Sequence, residues 1–127
     1  MYKEMAICII LVILIIIVDI VTQNYTKSTV NYMTGEIKEL NQKILSRDTD
    51  GVNEELEKID GKWSKTHDKL AYYIEHDELE KVETTFTAGK SLAIAGEYNQ
   101  AISELEKTIY VLDHITDKYS FNWVNIF

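Results

Sequence analysis

The chain has 127 residues, one cysteine, no proline and a formal net charge of −8. Beyond its apolar N-terminal run this length supports one modest core, and a single cysteine excludes an intrachain disulfide. So acidic a chain is repelled by phosphate backbones, which sets nucleic acid aside as a partner.

The run Met5–Val21 reads MAICIILVILIIIVDIV, with Asp19 as its one residue that is not apolar. As a helix it spans about 25 Å, near the roughly 30 Å of a bilayer's hydrocarbon core. Tyr2 and Tyr25 flank it where interfacial aromatics belong. Residues 1–21 are therefore predicted to be a membrane anchor, with Met5, Leu11, Leu14, Val18 and Val21 among its lipid-contacting residues, and residues 22–127 a separate helical domain. No small pair follows the run in Asp19-Ile20-Val21-Thr22-Gln23, so signal-peptide cleavage is not expected. Ile7 is too large to precede a lipoprotein cysteine at Cys8, and Glu4 lacks the glycine of a prepilin processing site. Asp19, two residues from the end of the run, is expected at headgroup level. Lys3 and the amino terminus precede the run and only Lys27 closely follows it. The positive-inside rule then places the N-terminus in the cytoplasm and the acidic domain outside.

From Val30 the apolar residues Val30, Met33, Ile37, Leu40 and Ile44 make one helical stripe. Nothing between Val21 and Val30 breaks a helix, so the anchor is expected to run on as a stalk to about Ser46, with Gly35 marking close packing or a bend. Arg47–Gly51 carries turn chemistry. A second stripe, Val52, Leu56, Ile59, Trp63, Thr66, Leu70 and Tyr73, predicts a helix from about Asn53 to Glu75. The phase changes in HDELEKVE (His76–Glu83), which predicts a corner with Asp77 as N-cap and Glu80 three residues on. Leu79, Val82, Phe86, Gly89 and Ala93 carry a third helix to about Ala95, where Gly96 fits a C-cap glycine. Ala101, Ile102, Leu105, Ile109, Leu112 and Ile115 form the inner face of a fourth. The absence of proline agrees with such long helices. The fold class is all-α: one transmembrane helix continuing into an antiparallel bundle of about four helices.

A shift of 49 residues lays ELEK (Glu55–Lys58) on ELEK (Glu104–Lys107), and Val30, Met33 and Ile37 on Leu79, Val82 and Phe86. Two stacked helical hairpins would produce this, and so would coincidence in a Glu/Lys/Leu-rich chain. Gly89, Leu92, Gly96, Tyr98, Ala101 and Leu105 resemble one tetratricopeptide hairpin. Thr85 stands in place of the early tryptophan and no proline follows, so generic hairpin packing is the better account.

Chemistry is sparsely advertised. His76 and Glu80 are four apart, and with Asp77 they form a polar candidate site at the corner. The chain has no Glu-x-x-His or His-Glu-x-x-His pair, and His67, His76 and His114 have no ligand spacing, so no metal is assigned. Trp63, Tyr72, Tyr73, Tyr98 and Tyr110 could line an inter-helix pocket, although Trp63 and Tyr73 lie on the core stripe. With no phosphate-cradling glycine loop and no recognised nucleophile–base motif, neither an enzyme nor a cofactor is expected. The terminal YSFNWVNIF supplies an apolar cluster, Phe121, Trp123, Val124, Ile126 and Phe127, which either closes the bundle or meets a partner or the outer bilayer surface.

The short N-terminus, the uncleaved apolar helix, Trp63, the HDEL corner (His76–Leu79) and the terminal NIF (Asn125–Phe127) together resemble a family of small membrane-anchored helical proteins of clostridia and relatives, domain of unknown function 4363. The resemblance implies a Gram-positive origin, a single-pass anchor and an all-helical outer domain. Some relatives are encoded beside small multi-pass membrane proteins, which implies a membrane partner. It carries over no activity, cofactor or catalytic residue. The expected function is a non-enzymatic, membrane-tethered interaction module acting on another membrane or envelope protein. The alternative is a ligand- or metal-sensing bundle, and the oligomeric state is left open.

Overall fold

In the computed structural model, which describes residues 1–119, an unbroken helix α1 runs from Tyr2 to Leu45, 44 residues. Its middle is rich in threonine, which often competes with the helical ladder. Here the hydroxyls fold back onto the preceding turn: Thr22 Oγ1 donates to the Asp19 carbonyl at 3.0 Å, and Thr26 Oγ1 to the Thr22 carbonyl at 2.8 Å. The ladder therefore continues, and the helix also passes straight through Gly35. Open space surrounds that glycine, so it marks no close packing.

The two halves of α1 face different surroundings. The large apolar side chains from Met5 to Val21 are each at least half exposed. From Thr26 onward one face is buried, through Thr29, Val30, Met33, Ile37, Leu40, Asn41 and Ile44. That face packs against α2 (Thr49–Leu70) and α4 (Tyr98–Tyr119), α3 (His76–Ile94) packs along α4, and α2 and α3 touch only lightly. The result is an up-down-up-down antiparallel bundle with an apolar arm projecting from one end. The predicted stripes form its core: Val52, Leu56, Ile59, Trp63, Thr66 and Leu70 from α2, Leu79, Val82, Phe86, Gly89 and Ala93 from α3, and Ala101, Leu105, Ile109, Leu112 and Ile115 from α4.

Helix ends differ from expectation at α2 and α3. Helix α2 starts at Thr49 rather than Asn53, because Asp48 accepts the Gly51 N–H at 3.0 Å and caps it. It ends at Leu70 rather than Glu75, although Ile74 still reaches the core from the connecting turn. Asp77 is not the N-cap of α3; it lies within the first turn and Glu75 holds the cap position. The Glu75 N–H is satisfied by the Tyr119 hydroxyl at 2.9 Å, so the end of α4 stitches the corner.

The two hairpins are equivalent. The helix ends that flank their turns fall 49 residues apart: Leu45 and Ile94, Thr49 and Tyr98. Both turns use the same pair of bonds, Asp48 N–H to Lys43 O and Arg47 N–H to Ile44 O in the first, Glu97 N–H to Leu92 O and Gly96 N–H to Ala93 O in the second. These are Schellman caps, and both put the intervening residue in the left-handed region, Arg47 at φ 59° and Gly96 at φ 82°. The tetratricopeptide-like residues of the second hairpin thus belong to a turn that the first builds without glycine.

At Gly89 helix α3 lies close against α4: a Cβ there would lie 2.8 Å from the Leu105 side chain. Gly89→Val should therefore destabilise by about 1–3 kcal/mol through overpacking. Gly61, mid-helix in open space, should behave oppositely, Gly61→Ala adding about 1 kcal/mol of helix propensity. Thermal melts of the full chain in detergent check both signs.

Candidate functional site

The corner residues singled out in the sequence do not form a ligand set. His76 and Glu80 are 3.8 Å apart with side chains 82% and 62% exposed, an open i, i+4 pair of the kind that contributes little. Asp77 and Glu80 instead line a broad open groove of about 600 Å³ between α3 and α4, with Lys81, Lys107 and Tyr110. The five aromatics do not converge either. Trp63 lies in the core, Tyr98 packs under the Arg47 guanidinium, and Tyr72 and Tyr110 face solvent. The tail residues Phe121, Trp123, Ile126 and Phe127 lie outside the described residues.

The structure brings together a different set between α1 and α2, in which Glu55 is buried and Glu39 and Lys58 are exposed. The Glu55 side chain is 4% exposed, and its Oε2 is 3.1 Å from Lys43 Nζ. Lys58 Nζ lies 2.9 Å from Glu36 Oε2. Carboxylate oxygens of Glu36, Glu39 and Glu55 all fall within 4.8 Å of one another. Burial, and then the hydrogen bond with Glu36, push the Glu55 carboxyl above the usual carboxylate range. Its bonds to Glu55 and Lys58 hold Glu36 below that range. Three acids and two lysines leave one negative charge, and Glu55 Oε1 is buried with no donor of its own. Lys43 and Lys58 supply the positive charge beside these carboxylates, so the cluster is an ion network joining α1 to α2.

A related arrangement ties α3 to α4. Buried Glu78, in the first turn of α3, faces Lys118 at 3.3 Å and His114 at 3.9 Å. Between α2 and α3, Glu83 accepts the Trp63 indole N–H at 3.0 Å and lies 3.4 Å from His67 Nε2. Sequence reasoning missed Glu55 and Glu78 because it followed apolar residues only. Glu55 is three after Val52 and four before Ile59, and Glu78 is four before Val82, so both occupy core-facing positions.

At the end of the bundle nearest the apolar arm, polar groups gather on α1. The Tyr73 hydroxyl donates to the Thr22 carbonyl at 3.2 Å and sits 2.6 Å from Thr26 Oγ1. Lys69 Nζ lies over the Tyr25 ring, 5.8 Å from its centre. A cleft of about 190 Å³ opens there, lined by Val21, Thr22, Tyr25, Lys69 and Tyr73.

The carboxyl pair predicts a pH signature. Glu55, with a raised folded pKa, favours folding below its unfolded value and loses that contribution as pH rises through the raised one. Glu36, with a lowered pKa, contributes above its unfolded value and loses this as pH falls through the lowered one. The pair is thus most stabilising in mildly acidic solution. Glu55→Gln keeps a donor for Glu36 and cannot ionise, so it should remove the decline in melting temperature between mildly acidic and neutral pH. Circular-dichroism melts of the full chain in detergent measure this.

No curated protein and no solved structure matches the chain. A family model does, that of the domain of unknown function (DUF4363), over residues 20–126. The match starts near the end of the apolar arm and takes in all four helices of the bundle, or nearly the whole chain. The chain belongs to this family.

Proposed function

We propose that this protein is a non-enzymatic, membrane-tethered helical module that acts on another membrane or envelope protein, its N-terminus cytoplasmic and its bundle outside. One observation carries the reading. The helix α1 is long and apolar enough to cross a membrane, and none of its apolar window is buried inside the protein, so water is a poor surrounding for it. The same helix continues without a break into the core, so the arm and the bundle form one body. Confinement to a membrane raises the effective concentration of such a domain towards partners in the same plane, and weak contacts then suffice. The acidic bundle, repelled by anionic headgroups, suits a protein surface better than a lipid one over most of its length. Mixed, solvated ion pairs line its open groove, with no buried acid–base constellation there for catalysis.

The test is mild-detergent solubilisation of the full chain from its native membrane, in parallel with a variant whose residues 5–21 are replaced by an unrelated apolar helix. The expected result is one membrane protein recovered at near-equal stoichiometry with the natural chain. Recovery of none contradicts the partner. Release of a shortened soluble form during expression contradicts the tether, since it would mean that the apolar run is removed.

A further inference from the structure

We propose that the turn between α2 and α3 is a second lipid contact, in which the cleft of Val21, Thr22, Tyr25, Lys69 and Tyr73 seats a phospholipid headgroup and Tyr72 lies in the interface beside it. The proposal rests on the reading of α1 as a membrane span.

Because α1 is continuous, it acts as a ruler from the bilayer into the bundle. The apolar run ends at Val21, and Tyr73 bonds to the Thr22 carbonyl and to Thr26 Oγ1. At 1.5 Å per residue these atoms lie within about 8 Å of the last apolar residue along the axis. The headgroup layer of one leaflet is about 5–8 Å deep. A neighbouring helix axis stands 8–10 Å to the side, so a tilt of about 20° changes this height by only roughly 3 Å. The Tyr73 hydroxyl thus ties the turn to α1 at headgroup level, with Lys69 and Tyr72 beside it.

The chemistry there fits that level. Val21 belongs both to the apolar run and to the wall of the cleft, so the surface of the span continues into it without a gap. The lining is almost wholly apolar apart from the Lys69 ammonium. Lys69 meets no carboxylate among the described residues and sits only over the Tyr25 ring, which leaves its donors for a phosphate. Tyr72, 88% exposed, carries a ring with a polar tip, the side chain most suited to an interface. The partner is a phospholipid of the leaflet from which α1 emerges.

Depth-resolved quenching tests this on the full chain in phosphatidylcholine nanodiscs containing nitroxide lipids. With Cys8→Ser as background, a fluorophore is placed through Val12→Cys, Tyr72→Cys or Ile94→Cys, all exposed positions, and circular dichroism verifies the fold of each. The expected result is quenching at 12 by acyl-chain nitroxides, at 72 by headgroup nitroxides, and at 94, in the far turn, by neither. Adding Lys69→Glu should reduce the quenching at 72. Quenching at 12 with none at 72 overturns the lipid contact while the span stands. Absence of quenching at 12 overturns the span itself, and this inference with it. Unchanged quenching at 72 with Lys69→Glu overturns the seating of the headgroup by that lysine.

Discussion

Every other feature of this molecule depends on the backbone ladder of α1 crossing Val21–Val30 unbroken. Two stretches of opposite character meet there, one apolar around its whole circumference and one with a single buried stripe. Nothing in the covalent chain requires them to be collinear. The lack of proline, the turned-back hydroxyls of Thr22 and Thr26, and the bonds from Tyr73 make them so. A flexible joint at the same place would leave a bundle free to tumble beside the apolar arm. A stiff one fixes the direction in which the arm leaves the bundle.

The bundle that hangs on this helix is built twice from one plan. Each half is a hairpin closed by the same Schellman turn, and the halves differ in what they bury between their helices. The first seals Glu36 and Glu55 with Lys43 and Lys58. At the position 49 residues after Glu36 the second has Thr85, whose hydroxyl accepts a hydrogen bond from Thr108 at 2.9 Å. Burying carboxyls costs more than burying hydroxyls. The seam of two neighbouring acids, Glu36 and Glu55, is therefore a feature of α1 and α2, while α3 and α4 bury Glu78 against Lys118.

Much of this architecture is written in the spacing of apolar residues. The stripes of α1, α2, α3 and α4 enter the core almost residue for residue, because in a small bundle burial is the term that decides which face turns inward. The helix ends are less legible. Arg47 takes a left-handed conformation that its side chain does not favour, and the cap at Asp48 follows from that backbone choice rather than from any local motif. Nor does any breaker announce the end of α2 at Leu70; the chain turns there because α3 must come back along α4. The buried acids were visible as positions but not as chemistry, since a glutamate on a core stripe looks like an interruption until a lysine is seen across from it. The corner at His76 shows the reverse error, a suggestive cluster of polar residues that the fold leaves in solvent.

The central claim, one stiff helix joining apolar arm and bundle, is measured most directly by the distance between spin labels on either side of the junction. Labels introduced through Val12→Cys and Gln42→Cys in the Cys8→Ser background stand thirty residues apart, about 45 Å along a continuous helix. Pulsed electron–electron resonance of the full chain in nanodiscs should give one narrow distribution near that value. A broad distribution, or a second shorter population, would contradict the account by placing a hinge between Val21 and Val30.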